Sequence, residues 1–528
     1  MLAWLVCFAA TLHAQRYLSE VFTSVDVQTN VVYGVNWTVL TVPVTGHSAK
    51  QPLVMDIYTP SGDVETNRPL ILYFHTGNFL PNPQNGSTTG TRNDSIAVEM
   101  CTRLAKMGYV VANVEYRLGW NPLSPDINIR ISTLINAAYR GVQDSRACIR
   151  FFRKSVENSN PYGICPNKIT AFGEGTGGYV SLATSMLDAY SDIVISKFIG
   201  PDINGDGVPD PFVIEAFNGD LNGETLVGIN PLNGDTLAVP NTPGYSSEVN
   251  LCVNMGGALG DISWLDASDP PTISYHVPDD PNAPYKSGIL IVPTTGDLIV
   301  EVQGSYEVAK KSNALGTNQV FVDANISDGF TTAANNFNDG YEGLFPFNRP
   351  SWTNPLNPAG PPLHEGSPWA WWDAAYWSQV PHPSCPAGLP ITVCNFHVLN
   401  WMSQQDMSAT KGRTYADSII GYFAPRAFAA LDLGATTCAS GVNDPSDEAA
   451  ISLSVFPNPA SQTVRFTSNP SEPIQGIQLF DLSGKLVKTE TGIESNIYSM
   501  QRGQLSNGIF IAKIRFKDSI LSRKIVFN

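Results

Sequence analysis

The chain is poor in basic residues and has no long hydrophobic run beyond its amino terminus. Its 31 Lys and Arg residues stand against 47 Asp and Glu residues, which gives a formal net charge of −16 at pH 7. A phosphate backbone or an anionic membrane would repel such a chain, so we expect no nucleic-acid partner. No stretch after the first 15 residues is apolar for long enough to cross a bilayer, so we also expect no transmembrane segment.

Cysteine is scarce, and none of the eight cysteines belongs to a CxxC pair, so zinc ligation has little support. Without Cys7, seven remain, an odd number for an exported protein, and we expect one to be unpaired. We predict disulfides between Cys148 and Cys165 and between Cys385 and Cys394. Each pair closes a short loop rich in Pro, Asn or Gly.

The amino terminus, MLAWLVCFAATLHA, is an apolar run that is too short to span a bilayer and ends on the small residue Ala14. We interpret residues 1–14 as a signal peptide. Two features depart from the usual pattern: no Lys or Arg precedes the run, and Leu12 stands where a small residue is usual.

Residues 53–185 alternate between strand-like and helix-like patterns. The strand-like runs are LVMDIYT, LILYFH, YVVANVEY and KITAFG. The apolar-face positions Val142, Ser145, Ile149, Phe152 and Val156 recur at helical spacing. This alternation predicts an α/β fold with a doubly wound, mostly parallel sheet and helices on both faces.

The character of the chain changes near residue 440. ASGVNDPSDEAA is polar and turn-forming, and we assign a linker to residues 441–452. It would separate a large domain, residues 15–440, from a smaller one, residues 453–528. Short alternating strands punctuated by NP, SG and NG predict that the smaller domain is a β-sandwich.

Three motifs of the last segment, VFPNPASQTVRF, IQLFDLSGKLVKT and LSNGIFIAKI, resemble the C-terminal sorting domain of type IX secretion cargo. The resemblance implies that the type IX secretion machinery is a partner. It also implies a protein that is secreted or held at the outer-membrane cell surface. An adhesive β-sandwich of the immunoglobulin type is the alternative.

Four stretches of the larger domain resemble the carboxylesterase-like branch of the α/β-hydrolase fold. They are MDIYTP (55–60), LYFHTGNF (72–79), GYVVANVEYRLG (108–119) and NKITAFGEGTGGYVSLA (167–183). The resemblance covers about residues 30–435 and leaves an insertion-rich second half, between about 200 and 400, without a template.

The nucleophile position of this branch holds no nucleophile. The family's turn is G-x-S-x-G, with the catalytic Ser at a sharp strand-to-helix turn. In AFGEGTGG, Gly173, Gly177 and Gly178 keep the flanking glycines, but Gly175 replaces the Ser. Thr176 follows directly, and we expect its hydroxyl to point away from the apex of the turn.

The family's oxyanion stretch is H-G-G-G-F, and here it is HTGNF, residues 75–79. Thr76 and Asn78 replace two of the glycines. Because the donors are backbone N–H groups, the resemblance still implies an oxyanion hole from Thr76 or Gly77 together with Thr176.

For the acid, YHVPDDPNAPY resembles the family's H-G-x-x-D-x-x-x-P-Y stretch, which implies Asp280. Asp297, in TTGDLIVEVQGS, is the alternative, and either residue can equally be an ordinary loop carboxylate. The base is expected after the next strand, for which we take NQVFVD at 318–323, but no His follows it closely. His364 is the first candidate and His397 the next, and each can instead be a core or solvent-facing imidazole.

One segment of the insertion, PDINGDGVPD, has the spacing of a calcium loop. Its oxygen-bearing residues are Asp202, Asn204, Asp206 and Asp210. The bidentate Glu of such loops is missing, since Val213 occupies that position. A structural calcium site and an unliganded Asx-rich turn both remain open.

Two functions therefore remain. The first is a catalytically degenerate hydrolase fold that binds a ligand or partner, and the second is an active carboxylesterase-like hydrolase with an unrecognised nucleophile. The ligand would be a small molecule, a carbohydrate or an ester. An aromatic cluster could stack on sugars or could be lid or core packing; it comprises Trp369, Trp371, Trp372, Tyr376 and Trp377.

Overall fold

The computed structural model describes residues 16–202, 206–291, 298–355, 357–434, 438, 453–481, 486–517 and 520–528. The chain divides into two compact units, Met1–Pro243 with Ser247–Thr436 and Gly244–Ser246 with Thr437–Asn528. The predicted signal peptide and linker both lie outside the described residues, so these two boundaries stay predictions.

The first unit is built on an eight-stranded sheet. In chain order the strands of this unit are β1 (Val25–Thr38), β2 (Ala49–Pro60), β3 (Arg68–Phe74), β4 (Val110–Val114), β5 (Ile164–Glu174), β6 (Gly228–Ile229), β7 (Thr236–Ala238), β8 (Leu251–Met255), β9 (Ala258–Leu259), β10 (Thr272–His276), β11 (Ser287–Ile291), β12 (Leu298–Gly304) and β13 (Leu344–Pro346). The large sheet has the order β1-β2-β4-β3-β5-β8-β10-β13, while β11-β12-β9 and β6-β7 form small sheets. The pairs β1–β2 and β2–β4 are antiparallel, and every other pair of the large sheet is parallel.

Helices cover both faces of this sheet, as predicted. The α-helices are Val42–Thr45, Ser95–Lys106, Ile127–Glu157, Thr176–Met186, Glu215–Asn218, Ser305–Leu315, Gln319–Asp323, Gly329–Asn335, Ala374–Trp377, Phe396–Met402 and Ala409–Ala430, and short 3-10 helices span Tyr190–Ile193, Ser196–Phe198 and Ile262–Trp264. Alternate side chains of β3 point to opposite faces of the sheet and so pack against different helices. Ile71 and Tyr73 face a core with the helices Ser95–Lys106 and Ala409–Ala430, whereas Leu72 and Phe74 face a core with Ile127–Glu157.

The prediction of a strand at 318–323 is wrong. Gln319–Asp323 is helical, and the strand that follows β10 in the sheet is β13. Only Phe321 of the helix is buried, whereas a central strand of a parallel sheet would be buried on both faces. The amide of Asn318 also accepts from Thr272 N at 2.8 Å and donates to Thr272 O at 3.1 Å, which holds this segment at the start of β10.

The second unit is a small two-sheet β-structure, as predicted. Its strands are β14 (Ser454–Phe456), β15 (Thr463–Thr467), β16 (Ile474–Asp481), β17 (Leu486–Ser495), β18 (Ile497–Gln501), β19 (Gly508–Arg515) and β20 (Ile520–Phe527). They form the antiparallel sheets β14-β15-β18 and β17-β16-β19-β20. Alternate residues of the two sheets, such as Val464 and Phe466 on β15 and Ala512 and Ile514 on β19, share one core.

One of the two predicted disulfides is confirmed. Cys385 is bonded to Cys394. Cys148 is a free, buried thiol and Cys165 is disulfide-bonded, so the pair Cys148–Cys165 is wrong. The reason is that Cys148 lies inside the helix Ile127–Glu157, where its Sγ contacts Met55 Sδ at 3.6 Å in the core.

A buried ion pair holds the segment that follows β4. Arg117 Nη2 lies 2.8 Å from Asp144 Oδ1, and both side chains are fully buried. Asp144 Oδ2 also accepts the backbone N–H of Arg117 at 2.8 Å. Next to Arg117, the hydroxyl of Tyr116 donates to the carbonyl of His75 at 2.8 Å. The pair thus supports the loop that carries the HTGNF stretch.

We expect Asp144→Asn to lower the free energy of unfolding of the first unit by about 3–5 kcal/mol, because it leaves the Arg117 guanidinium buried without its carboxylate. Urea unfolding followed by tryptophan fluorescence measures the loss. Glu99→Gln is the matched control: its partner Arg413 is largely exposed, and breaking such a pair costs about 1 kcal/mol or less. Equal losses in the two variants would contradict the prediction.

Candidate active site

Gly175 forms the apex of the turn between β5 and the helix Thr176–Met186. Its backbone has φ 54° and ψ −117°, a conformation that costs a residue with a side chain roughly 1–3 kcal/mol. The N–H of Gly175 donates to Met255 O at 2.8 Å, at the end of the neighbouring strand β8. The strand-turn-helix geometry of a nucleophile elbow is therefore present, without a side chain at its apex.

The flanking glycines of this turn are required by close packing. A Cβ on Gly173 would lie 1.9 Å from Gly177 O, and a Cβ on Gly177 would lie 2.1 Å from Phe74 O. A Cβ on Gly178 would lie 2.3 Å from the side-chain oxygen of Asn254. These glycines allow β5, its helix and the neighbouring strands to approach, whether or not the turn is catalytic.

The side chain of Thr76 fills the space beside the apex. A Cβ built on Gly175 would lie 2.1 Å from Thr76 Oγ1 and 2.8 Å from Thr76 Cβ. Rotation about χ1 would move Oγ1 but not Cβ, so a serine at 175 cannot coexist with Thr76 in this backbone. The two departures from the family pattern, Thr76 for a glycine and Gly175 for the serine, are therefore sterically compatible with each other. Sequence reasoning found both and missed that they touch.

His75 keeps Thr76 in this position. The Nδ1 of His75 donates to Thr76 O at 2.5 Å, and its ring stacks on Tyr116 with centroids 4.8 Å apart. Burial alone would lower the pKa of His75, but the carboxylate of Glu115, 3.4 Å from Nε2, raises it. His75, the first residue of the HTGNF stretch, is therefore a buried residue that holds the backbone of Thr76 in place.

The predicted oxyanion residues lie around the apex. Thr176 is the first residue of the helix that begins after Gly175, so its N–H has no intrahelical acceptor. Its hydroxyl lies 3.3 Å from that of Tyr116. Gly77 has φ 131°, and a Cβ there would lie 2.7 Å from Gly90 Cα. The role of Thr76, Gly77 and Thr176 as oxyanion donors stays a prediction.

Asp280, the predicted acid, follows β10 and has a buried carboxyl group. It accepts the N–H groups of Asn282 at 2.7 Å and Ala283 at 3.3 Å. Burial raises the pKa of Asp280 to about 7. A Cβ on Gly366 would lie 2.4 Å from Asp280 Oδ1, so the segment that carries His364 passes against this carboxyl. The alternative acid, Asp297, lies outside the described residues.

His364, the predicted base, follows β13, the last strand of the large sheet. Because 318–323 is a helix, His364 is also the first histidine after the correct strand. Its Nδ1 lies 3.9 Å from the exposed Asp279 and has no hydrogen-bond partner among the described residues. His397 is engaged elsewhere, since Trp372 Nε1 contacts its Nδ1 at 3.2 Å. The roles of Asp280 and His364 stay predictions.

Sequence reasoning missed a buried Ser-His-Asp row that ends at Asp280. Ser305 Oγ lies 2.7 Å from His276 Nδ1, and His276 Nε2 lies 3.1 Å from Ala283 O and 3.8 Å from Asp280 Oδ2. Burial lowers the pKa of His276 to about 4, so the ring is neutral, accepts from Ser305 and donates to Ala283. Ser305 and His276 are fully buried, so the row is structural.

Glu174, directly before the apex, is a buried carboxyl group. Its Oε1 accepts from Trp369 Nε1 at 2.9 Å and its Oε2 from the hydroxyl of Tyr73 at 3.2 Å. Burial, together with the charge of Asp94, raises the pKa of Glu174 to about 7.

Only some side chains of the aromatic cluster are exposed at the surface. Trp369 is 0% exposed and donates a hydrogen bond to Glu174, and Trp372 is buried against His397. These two cannot stack on a sugar, so the sugar-binding interpretation is wrong for them. Trp371 lies beneath the Arg413 guanidinium, and Tyr376 is 59% exposed.

The predicted calcium loop is described only in part, because Asn204 lies outside the described residues. Asp202 accepts from Gly207 N and Asp206 from Val208 N, each at 2.8 Å. Across the part of the chain that the structure describes, no three His, Cys, Asp or Glu residues converge as a metal site. Calcium binding stays a prediction.

The contact between positions 76 and 175 can be tested by a double-mutant cycle. We expect Gly175→Ala to destabilise the first unit and Thr76→Gly to relieve part of that loss, with a coupling energy of about 0.5–3 kcal/mol. Urea unfolding of the four proteins gives the coupling. Thr332→Gly, at an exposed helical position, is the control partner and should add to Gly175→Ala without coupling. Additivity in both cycles would contradict the contact.

Glu174 should make stability depend on pH. The folded chain keeps its proton to about pH 7, whereas the unfolded carboxyl releases it near pH 4.5. Folding is therefore penalised as pH rises from 4.5 to 7, by on the order of 3 kcal/mol in total. We expect Glu174→Gln to remove this part of the decline in urea unfolding across that range. Glu301→Gln, at an exposed position, should follow the parent. A parallel decline in Glu174→Gln would contradict the prediction.

Comparison with known proteins agrees with this architecture. Residues 55–199 match the BD-FAE family, and residues 454–528 match the secretion system C-terminal sorting domain. No curated protein matches the chain. Among the described residues, no helix combines the length and hydropathy needed to cross a membrane.

Similar solved structures include several forms of esterase 2 from the Planctomycetes species Thermogutta terrifontis. Native esterase 2 is 13% identical, over 62% of this chain and 82% of that one, with a TM-score of 0.28. The form phosphorylated by paraoxon is 18% identical over 50% and 74%, with a TM-score of 0.26. The propionate-bound form is 16% identical over 50% and 75%, also with a TM-score of 0.26.

The sorting domain indicates a protein that is secreted or displayed at the cell surface. The chain thus joins an esterase-like α/β-hydrolase domain to a C-terminal secretion sorting domain.

Proposed function

We propose that the hydrolase domain is a ligand-binding protein that has lost covalent catalysis. The observation that carries this proposal is the contact at the apex, where Gly175 has no side chain and Thr76 occupies the space of one. Removing the nucleophile of a complete triad costs on the order of 10⁶ in turnover. Thr76, which fills the space beside Gly175, would also clash with a serine at position 175.

What remains around the apex can still bind a ligand. The N–H groups of Thr176 and Gly177, in the first turn of the helix Thr176–Met186, have no intrahelical acceptor and attract a carbonyl or carboxylate oxygen. An apolar cavity lies beside them. Because Trp369 and Trp372 are buried, a small molecule or an ester suits this site better than a sugar.

The sorting domain implies interaction with the type IX secretion machinery. We therefore propose that the ligand is met outside the cell, either by an anchored chain or by one released from the surface. The sorting domain would direct export of the ligand-binding domain and would not itself contact the ligand.

An active hydrolase is the second candidate, favoured by two observations. Asp280 and His364 follow β10 and β13, in the order that an α/β-hydrolase triad requires. The hydroxyl of Thr76 lies beside the apex. In this alternative, Thr76 would take the place of the missing serine.

A fluorophosphonate probe together with p-nitrophenyl acetate separates the two candidates. We expect the parent chain to remain unlabelled and to hydrolyse the ester no faster than buffer. Gly175→Ser alone should also stay unlabelled, since Thr76 crowds the new side chain. Labelling is expected only in Gly175→Ser with Thr76→Gly, where the serine has room.

Stoichiometric labelling of the parent chain would overturn the proposal. Loss of that labelling in Thr76→Val would then assign the nucleophile to Thr76.

A further inference from the structure

The disulfide between Cys385 and Cys394 closes a loop whose residues are all exposed. The loop, PAGLPITV at 386–393, is called the apolar loop below, because Thr392 is its one residue with a polar side chain. Leu389, Ile391 and Val393 are 48%, 39% and 58% exposed. Single exposed apolar side chains are ordinary on proteins, whereas a continuous apolar segment at the surface marks an interaction site.

Hydrogen bonds hold the base of the apolar loop. His382 Nε2 lies 3.0 Å from Gly86 O, and Asn400 Nδ2 donates to the same carbonyl at 3.3 Å. Asn395 Nδ2 donates to Ile391 O, within the loop itself, at 2.6 Å. Because the disulfide and these bonds already fix the backbone, the loop loses little conformational entropy when it binds a surface.

Two exposed aromatic side chains belong to the segments on either side of the apolar loop. Tyr376 contacts Trp377 with ring centroids 5.1 Å apart, and Trp377 packs on Phe396, just after the disulfide, at 5.2 Å. Trp401, in the helix that begins at Phe396, is 40% exposed. Tyrosine and tryptophan are enriched where hydrocarbon meets water, because each ring has an apolar body and a polar tip.

The absence of charge around the apolar loop favours a lipid over a protein partner. Residues 374–405 include no Asp, Glu, Lys or Arg, in a chain of which 15% is charged. A stable protein interface has a polar rim and about 20–30 residues a side, which exceeds one short loop and two rings. A second copy would also bring a like formal charge of −16. Insertion into lipid requires only a few apolar side chains.

We infer that the apolar loop inserts into an uncharged, zwitterionic lipid surface. Leu389, Ile391 and Val393 enter the boundary of the acyl chains, and Tyr376 and Trp401 lie at the level of the headgroups. The formal charge of −16 opposes an anionic surface. Because so few side chains are buried, the association is weak and reversible. The inference does not depend on whether the turn at Gly175 is catalytic.

Flotation of the full chain with phosphatidylcholine vesicles tests the inference. We expect the chain to float with the vesicles to the same extent between about 0.1 and 1 M NaCl, since apolar insertion is not screened by salt. Replacing a third of the lipid by phosphatidylglycerol should weaken binding at the lower salt concentration. No flotation with phosphatidylcholine, or flotation that requires phosphatidylglycerol and is lost in salt, would overturn the inference.

Two variants locate the contact with lipid. Leu389→Asp combined with Ile391→Asp should lower the vesicle partition coefficient at least about tenfold. Leu232→Asp is the matched control, because Leu232 is 93% exposed on another loop, and it should bind as the parent does. Since all three positions are exposed, the variants should keep the parent's urea unfolding midpoint. Equal binding by the double variant and the control would show that the apolar loop is not the site.

Quenching by dibrominated phosphatidylcholine tests the position of Trp401. We expect Trp401→Phe to bind vesicles but to lose part of the quenching that the parent shows, because its indole lies at headgroup level. Quenching that is identical in the two proteins would contradict this position. Sedimentation velocity without lipid should show a monomer. A dimer that Leu389→Asp dissociates would assign the apolar loop to a second copy and overturn the inference.

Discussion

The contact between the Thr76 side chain and the backbone of Gly175 is the constraint on which the rest of this site depends. A residue with a Cβ at 175 would come within 2.8 Å of Thr76 Cβ, which no side-chain rotation relieves. The carbonyl of Thr76 is held by His75, and His75 is itself packed against Tyr116. The apex is therefore closed to a serine by residues that belong to the fold, and Gly175→Ser alone would bring the new Cβ against Thr76.

Several residues of the esterase-like motifs have structural roles here. The glycines around the turn are needed for close approach between backbone segments, and Glu174 is tied to Trp369 and Tyr73 in the core. The buried row of Ser305 and His276 joins the helix Ser305–Leu315 to the end of β10. The presence of these residues is therefore evidence for the fold and not, by itself, for turnover.

The sequence predicted the elements whose patterns are local. Alternation identified β2 to β5, and the G-x-x-x-G turn located Gly175. The segment 318–323 was misassigned because a short apolar run cannot tell a strand from one helical turn. Cys148 was paired wrongly because loop length says nothing of where a helix points its side chains. The meeting of Thr76 with Gly175, and the cavity beside them, depend on long-range packing that no local pattern encodes.

A crystal structure of the purified chain would show whether the Thr76 side chain fills the space at the apex of the turn. We expect the Thr76 side chain to be in van der Waals contact with Gly175, and the imidazole of His364 to make no hydrogen bond to a hydroxyl or thiol at the apex. Electron density that shows the hydroxyl of Thr76, or of another residue, hydrogen-bonded to His364 above Gly175 would contradict this expectation.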